Sequence, residues 1–299
     1  MKRNLIFVVL ALLALPGWAQ QQYKIITINF PGATSTNITG LNDRGQFTGA
    51  FFGANSIPHA MRFDGRSLAQ FNPDNVFGDR RSFALATNNR GDVVGAFRDA
   101  ANHSHGFVFS KGVFTQIDFP GATLTQTFGI NDQRVMIGIY RIAGPALHAF
   151  MLRDGVFTQI DVAGSVNTVP LSINDHDEVV GEWDDGTTVF GHGYLQKPDG
   201  RVISTDAPGA GPDGTQFISI NDRGQILGAF LDVAGNVHNF VLVRGKFRPF
   251  DIAGASAVSA QTINNHGVIV GIVDDAQGEH GFVASPVERE EEGQEREED

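Results

Sequence analysis

Residues 221–240, NDRGQILGAFLDVAGNVHNF, decide the fold because three of their features return at regular intervals along the chain. An asparagine before Asp or Asn recurs at Asn42, Asn88, Asn131, Asn174, Asn221 and Asn264, at spacings of 43 to 47 residues. A glycine follows seven positions later, at Gly49, Gly95, Gly138, Gly181, Gly228 and Gly271. A histidine before a small or short polar residue and then an aromatic or Met recurs at His59, His105, His148, His192, His238 and His280. These landmarks define six copies of a repeat of about 44 residues.

Each copy of the repeat reads as four short strands. The strand before the asparagine has a small residue two positions upstream, which suits a crowded inner strand: Gly40, Ala86, Gly129, Ser172, Ser219 and Thr262. The next strand is apolar on consecutive residues, as in VVGAF at 93–97, and this is typical of a strand buried on both faces. A third strand starts at the histidine, and a glycine turn leads to an outer strand. The pattern predicts an all-β fold: a six-bladed β-propeller with four-stranded antiparallel blades.

The two ends of the repeat array complement each other. The sixth copy lacks an outer strand, because the chain after residue 283 runs into Pro286 and an acidic tail. Residues 23–33, at the start, match the outer strand and following link at 114–122 but have no first three strands before them. We therefore predict that the N-terminal strand completes the last blade, which closes the ring over residues 20–286 and protects its edges.

In these features the chain resembles the bacterial extracellular HAF-repeat family, named for the triplet seen intact at His148-Ala149-Phe150. The Asn-Asp turn, the glycine seven later and the His-small-aromatic step all match, over about residues 23–283. The resemblance implies export and a propeller-like fold. It supplies no catalytic residues to carry over.

The chain ends indicate where the protein acts. Residues 1–19 have Lys2 and Arg3, an apolar run of 11 residues and small residues before the expected cleavage site, which predicts a signal peptide and a secreted or periplasmic protein. Residues 287–299 predict a disordered acidic tail. The formal charge of −11 becomes −7 without the +2 of the leader and the −6 of the tail. An acidic body disfavours nucleic acid as a partner, and the absence of an apolar run of about 20 residues disfavours membrane insertion. We expect a monomer.

No reaction chemistry is encoded in a recognisable motif. The chain has no cysteine, no Gly-x-Ser-x-Gly, no P-loop and no His-Glu-x-x-His. Six histidines at equivalent places predict a packing or turn device, since an active site needs its side chain once. His103 adds a second ring near His105, which is weak support for a metal site. We expect no metal and no cofactor, and the question of catalysis stays open with binding favoured.

A departure from the repeat marks the candidate site. The position after the recurring glycine is apolar in five copies and Glu182 in the fourth, where Trp183, Asp184 and Asp185 follow it. Equivalent strand ends of the two preceding copies supply Arg98 and Arg141. An aromatic ring beside carboxylates and arginines suits a carbohydrate, peptide or protein ligand at the channel-mouth face.

Two alternatives to this binding module remain. The first is a propeller hydrolase or lyase with Glu182 and Asp184 or Asp185 as an acid-base pair. The second is a structural or adhesion repeat protein, in which the body surface and the tail matter more than the channel mouth.

Overall fold

The computed structural model describes residues 21–54, 56–71, 81–186, 191–212 and 214–287, and in these residues every regular element is a β-strand. The predicted signal peptide at 1–19 and all but the first residue of the predicted tail at 287–299 lie outside the described residues. Within the described part of the chain, no helical segment is long and apolar enough to cross a bilayer.

The strands group into six blades in chain order. Blade one contains β2 (Ser35–Leu41), β3 (Phe47–Phe52), β4 (Pro58–Phe63) and β5 (Leu68–Gln70). Blade two contains β6 (Ser82–Thr87), β7 (Val93–Arg98), β8 (Ser104–Ser110) and β9 (Val113–Ile117). Blade three contains β10 (Leu124–Ile130), β11 (Met136–Arg141), β12 (His148–Arg153) and β13 (Val156–Gln159).

The second half of the chain continues the pattern. Blade four contains β14 (Asn167–Ile173), β15 (Val179–Asp184), β16 (His192–Gln196) and β17 (Val202–Ser204). Blade five contains β18 (Thr215–Ile220), β19 (Ile226–Leu231), β20 (Val237–Val243) and β21 (Lys246–Phe250). Blade six contains β22 (Ala257–Ile263), β23 (Ile269–Asp275), β24 (Gly278–Pro286) and the N-terminal strand β1 (Tyr23–Ile28).

Sheet pairing confirms the propeller with four-stranded antiparallel blades. Four blades are separate four-stranded sheets, and blades two and three are joined into one eight-stranded sheet by a single parallel pairing of Leu124 with Ser104. The joined sheet is therefore two blades in contact at one point.

Closure by the N-terminal strand agrees with the sequence prediction. β1 pairs antiparallel with β24 from Tyr23 opposite Pro286 to Ile28 opposite Gly281, and Ile25 and Ile28 are buried. The pairing supplies β24 with an outer neighbour, so the last blade has no open edge inside the ring.

The recurring glycine of the second strand is explained by close packing on both sides. A Cβ on Gly138 would lie 2.0 Å from the carbonyl oxygen of Gln126 and 2.8 Å from the ring of Phe150. The other five glycines of the set have a comparable clash with the preceding strand. Only glycine lets the two strands and the buried third-strand ring meet here.

Every inner strand contains a β-bulge next to its small residue. The pairing of β2 with β3 shifts between Ile38 and Gly40, and the corresponding shift occurs in all six blades. A bulge bends and twists the strand. The six bulges therefore lie together on the central channel, which has a volume of about 250 Å³.

A closed ring of hydrogen bonds ties the six inner turns together at one end of this channel. Each asparagine Nδ2 donates to the backbone carbonyl of the next asparagine, at 2.8 to 3.2 Å, and the sixth donates back to the first. Each asparagine Oδ1 also accepts the backbone N–H groups two and four residues later, within its own turn. The bonds within a turn connect residues up to four positions apart, whereas the bonds between blades connect different copies of the repeat and were not foreseen from the sequence.

A second ring runs through the residue after each asparagine. The backbone N–H of each donates to the side-chain oxygen of the equivalent residue in the next blade, at 2.7 to 2.8 Å, again in a closed cycle. The cycle contains Asp43, Asn89, Asp132, Asp175, Asp222 and Asn265. Asp175 lies between two other aspartates, and burial together with Asp132 and Asp222 raises its pKa.

The two turns without glycine keep the same shape. Arg134 and Asp177 have φ values of 64° and 58°, and their N–H groups still bond to Asn131 and Asn174. The hydrogen-bond rings hold both residues in the left-handed region, which is unfavourable for a residue with a side chain.

We predict that Asn131→Ala lowers the free energy of unfolding by about 2–4 kcal/mol, since it leaves buried N–H and C=O groups of two turns without partners. Guanidinium titration of a chain that starts at residue 20 measures this change. The exposed neighbour Gln133 is the control, and Gln133→Ala should stay within about 0.5 kcal/mol of the parent. Equal losses in the two variants would contradict a special role for the ring.

We further predict that deletion of residues 21–28 causes aggregation or a broad unfolding transition, because it uncovers the backbone of β24 and the surfaces buried by Ile25 and Ile28. Calorimetry and light scattering report both effects. A deletion variant that melts as cooperatively as the chain with β1 intact would show that β1 is dispensable.

Candidate functional site

Five of the six blades carry a histidine and an aromatic ring where the second strand passes into the third, and blade six has Val273 opposite His280. In blade three the rings of His148 and Tyr140 have centroids 5.4 Å apart, and His148 Nδ1 lies 2.7 Å from Asp161 Oδ2. His105 and His192 form equivalent pairs with Asp118 and Asp206. These three histidines thus join the third strand of their blades to the link that follows the fourth, which is a structural role of the kind predicted.

The link between blades covers the aromatic ring in several repeats. Phe30 stacks on Phe51 with centroids 3.8 Å apart, and Phe119 stacks on Tyr140 at 3.6 Å. Both Phe51 and Tyr140 are buried as a result. The residue at the Phe30 position is Val162 before blade four and Ile252 before blade six.

Blade five departs from this arrangement, because the covering residue is Ala207. Its methyl group does not reach across the ring of Phe230, which is partly exposed. A cavity of about 240 Å³ results, which we call the Phe230 slot. It is lined by Ala207, Pro208, Phe230, His238, Asn239, Phe240, Phe247, Pro249 and Asp251.

The carboxylate at the slot also departs from the repeat. In blade three the equivalent Asp161 accepts hydrogen bonds from Gln159 Nε2 at 2.7 Å and pairs with His148. In blade five the glutamine position is Pro249, which has no side-chain donor. His238 Nε2 instead lies 3.0 Å from Asp232 Oδ2. Within the described residues, the exposed Asp251 carboxylate forms no hydrogen bond or ion pair.

Asp232 holds the histidine away from Asp251. Hydrogen bonds from His238 and Asn236 keep the pKa of Asp232 well below its usual range. Asp232 is therefore an anion at neutral pH and fixes His238 beside the ring of Phe230, 5.0 Å between centroids. The slot thus combines an uncovered aromatic face with a carboxylate whose acceptor positions are available to a ligand.

Glu182, the first residue of the predicted site, lies at the boundary of blades four and five. Its side chain is partly buried and accepts a hydrogen bond from Gln216 Nε2 on β18. Burial raises the pKa of Glu182 to about 7, the nearby Asp184 carboxylate adds to the rise, and the bond from Gln216 opposes it. Near neutral pH the side chain therefore exchanges a proton readily.

Trp183 points to the other side of β15. It packs with Val162, Tyr194 and their neighbours, and its indole N–H donates to Ser204 Oγ at 2.9 Å. Its ring lies 5.0 Å from His192, the same relation as in the other aromatic-histidine pairs. Trp183 thus occupies the position of the aromatic ring in the other repeats, where it is partly buried by packing.

The remaining predicted residues stand at separate strand ends. Asp184 accepts hydrogen bonds from Asn167 Nδ2 and from the backbone of Gly186, while Asp185 is exposed. Arg98 Nη1 donates to Asn102, and Arg141 ends the equivalent strand of blade three. Among the described residues, neither arginine bonds to these carboxylates, so the structure does not bring the six into one constellation.

His103 and His105 share the carboxylate of Asp99, a contact that the sequence did not predict. His103 Nδ1 and His105 Nε2 lie 3.3 and 3.4 Å from Asp99 Oδ2. Burial lowers the pKa of His105, but hydrogen bonds to Asp118 and Asp99 outweigh it and raise the pKa overall. In the described part of the chain, no group of three or more His, Asp or Glu side chains is arranged to hold a metal ion.

Sequence reasoning missed the Phe230 slot although its signals were present. Alignment of the links places Ala207 against Phe30 and Phe119, and places Pro249 against Gln116 and Gln159. Each substitution looks harmless alone. Their coincidence at one cavity becomes visible only when the link, the ring and the outer strand are seen together.

Neither a family model nor a curated protein sequence matches this chain. Solved β-propellers do match its fold. A lectin variant from Aleuria aurantia, solved with Fucalpha1-6GlcNAc, is 10% identical, with 87% of this chain and 98% of the lectin covered and a TM-score of 0.51. TolB from Acinetobacter baumannii is 10% identical, with 82% and 64% covered and a TM-score of 0.56. The open-velcro propeller domain of the Trilobed protease from Pyrococcus furiosus is 10% identical, with 90% and 89% covered and a TM-score of 0.52. Identities this low establish a shared fold alone.

We predict that Glu182→Gln stabilises the protein above about pH 7 by about 1–3 kcal/mol and has little effect near pH 4.5. Between these values the unfolded chain loses the Glu182 proton while the folded chain retains it, so the parent loses stability as pH rises. The glutamine keeps a hydrogen-bonding partner for Gln216 and removes this dependence. Urea titrations from pH 4 to pH 8.5 measure the difference.

Glu178→Gln provides a contrast of opposite sign. Burial raises the pKa of Glu178, but hydrogen bonds from Lys197 and Asn174 outweigh it and lower the pKa overall. Its ionised form therefore stabilises the fold above the unfolded-state pKa, and Glu178→Gln should weaken the protein at neutral pH. Parallel pH profiles for the parent and Glu182→Gln would contradict the assignment.

Proposed function

We propose that this protein is a propeller binding module whose ligand is a saccharide, held in the Phe230 slot. The observation that supports this proposal is the coincidence of an uncovered aromatic face with an unpartnered carboxylate, Asp251, at one cavity. The C–H face of a sugar ring stacks on an aromatic ring, and its hydroxyl groups donate to a carboxylate. Both contacts are available from residues on one side of blade five.

The size of the slot favours one sugar ring as the anchored unit. Its volume of about 240 Å³ falls just below the range of about 300–1,000 Å³ that is common for pockets holding drug-sized ligands. The apolar walls from Phe240 and Phe247 exclude water from one side of a bound ring. A longer glycan would extend from the slot over the neighbouring links.

The fold neighbours are compatible with this proposal. The Aleuria aurantia lectin was solved with Fucalpha1-6GlcNAc, so a propeller of similar shape serves as a saccharide-binding scaffold in that protein. The proposal includes action outside the cytoplasm, which is supported by the signal-like residues 1–19, and membership of the HAF-repeat family, which is supported by the His-small-aromatic triplets.

We predict that Ala207→Phe abolishes saccharide binding while it preserves the fold. Phenylalanine is already present at this position as Phe30 and Phe119, where it stacks on the ring of the following blade. In blade five it would cover Phe230 and fill the slot. Asp251→Asn should lower the affinity for the same saccharide by about tenfold. A glycan array selects the ligand, and calorimetry on the mature chain measures the affinity.

Ile252→Phe is the matched control, because it makes the same kind of change at the link before blade six. It should bind the selected saccharide like the parent. Binding that survives Ala207→Phe would show that the saccharide binds elsewhere on the protein. If the glycan array retained no saccharide and a peptide bound instead, the proposal of a saccharide ligand would be wrong.

A further inference from the structure

A second cleft lies at the opposite end of the blades from the Phe230 slot. It separates blades one and two beside the asparagine turns and has a volume of about 370 Å³. Gln46 and Thr48 form one wall, Arg90 lies at the inner turn, and Lys111 lies at the turn before β9. We call it the Arg62 cleft, after the residue that distinguishes it.

Arg62 breaks the repeat at this point. The residue after the His-small-aromatic triplet is apolar in the other five copies: Val108, Met151, Leu195, Val241 and Val283. The guanidinium carbon of Arg62 lies 5.5 Å from the ring centroid of Phe109 and 5.9 Å from that of Phe71. The aromatic rings favour the cation through their π faces and hold it in place.

Two more cations line the cleft, Arg90 and Lys111. Within the described residues, the side chains of Arg62, Arg90 and Lys111 form no salt bridge. Asp64 also lines the cleft; its Oδ1 accepts the backbone N–H groups of Arg66 and Ser67, and these bonds, with a smaller contribution from the nearby Arg62, lower its pKa. The lining therefore has a formal charge of +2 on a protein whose overall charge is −11.

At the same end of the propeller, blades two, three and four hold cations in ion pairs. Arg134 Nε lies 2.8 Å from Asp92, Arg153 Nη2 lies 2.8 Å from Asp177, and Lys197 pairs with Glu178. Asp92 and Glu178 stand four residues after the ring asparagine, and blade one has the neutral Gln46 there. Gln46 donates to the Asp64 carbonyl instead of balancing a charge.

We propose that the Arg62 cleft binds the carboxylate, phosphate or sulfate group of a small organic anion. The planar guanidinium of Arg62 offers two parallel N–H donors to such a group, while Arg90 and Lys111 add attraction from the rim. The volume of the cleft accommodates a molecule larger than an inorganic ion. This site is independent of the saccharide site proposed above.

Calorimetry on the mature chain at low salt tests the site with four probes: glucuronate, glucose 6-phosphate, inorganic phosphate and glucose. We expect both organic anions to bind, glucose to be without effect at this cleft, and the affinity to fall as salt is added. The relative affinities of glucuronate and glucose 6-phosphate identify the preferred acidic group. Inorganic phosphate alone should bind more weakly, because it leaves most of the cleft empty.

Substitutions make the test specific. Arg62→Met introduces the residue that blade three has at this position. It should lower the affinity for the organic anions by about tenfold to a hundredfold. Arg90→Gln should lower the affinity for these anions by about threefold to tenfold. Arg223 occupies the same turn position in blade five, outside the cleft, so Arg223→Gln changes the net charge equally and should alter affinity by less than about twofold.

Three results would overturn the proposal. They are the absence of binding by any anionic probe, unchanged affinity in a folded Arg62→Met variant, and equal losses in Arg90→Gln and Arg223→Gln. Ala207→Phe leaves this cleft unaltered and should bind the anions like the parent. The two proposed sites can therefore fail separately.

Discussion

The hydrogen bond from each ring asparagine to the carbonyl of the next one is the constraint on which the rest of the structure depends. It must close on itself after six steps, so every blade has to present the same turn at the same height and angle. The requirement explains why the asparagine is kept in all six copies. It also explains why Arg134 and Asp177 adopt positive φ where other turns have glycine.

The asparagine ring fixes the position of each blade at the channel. The residues at the strand ends can therefore differ from blade to blade. At one end the link residue covers the repeat's aromatic ring in some blades, whereas Ala207 leaves Phe230 open. At the other end ion pairs such as Arg134–Asp92 occupy later junctions, whereas Arg62 has no such partner in the described chain. Both clefts are places where a packing element of the repeat is missing while its neighbours remain.

Carboxylates and amides alternate in the second hydrogen-bond ring with one exception. Asn89 and Asn265 each donate to the aspartates on their two sides, so a carboxylate and an amide alternate through most of the second ring. Asp175 replaces the third amide. Its raised pKa follows from burial and from Asp132 and Asp222 beside it, and a proton on Asp175 would restore the missing donor.

The sequence alone determined the repeat, the strand order and the closure by β1, because each depends on residues close together in the chain or on one unmatched strand. It also identified Glu182 as unusual, since a carboxylate in an apolar position is visible by alignment. Only the tertiary structure decided what these residues contact. It placed Trp183 in the packing between blades, and it joined Ala207 to Phe230 and Asp251 at one cavity. Among the described residues it formed no hydrogen bond or ion pair between Glu182 and Arg98 or Arg141. Such contacts connect residues from different strands and links, and their side-chain directions depend on the twist and spacing of packed blades, which local pattern does not specify.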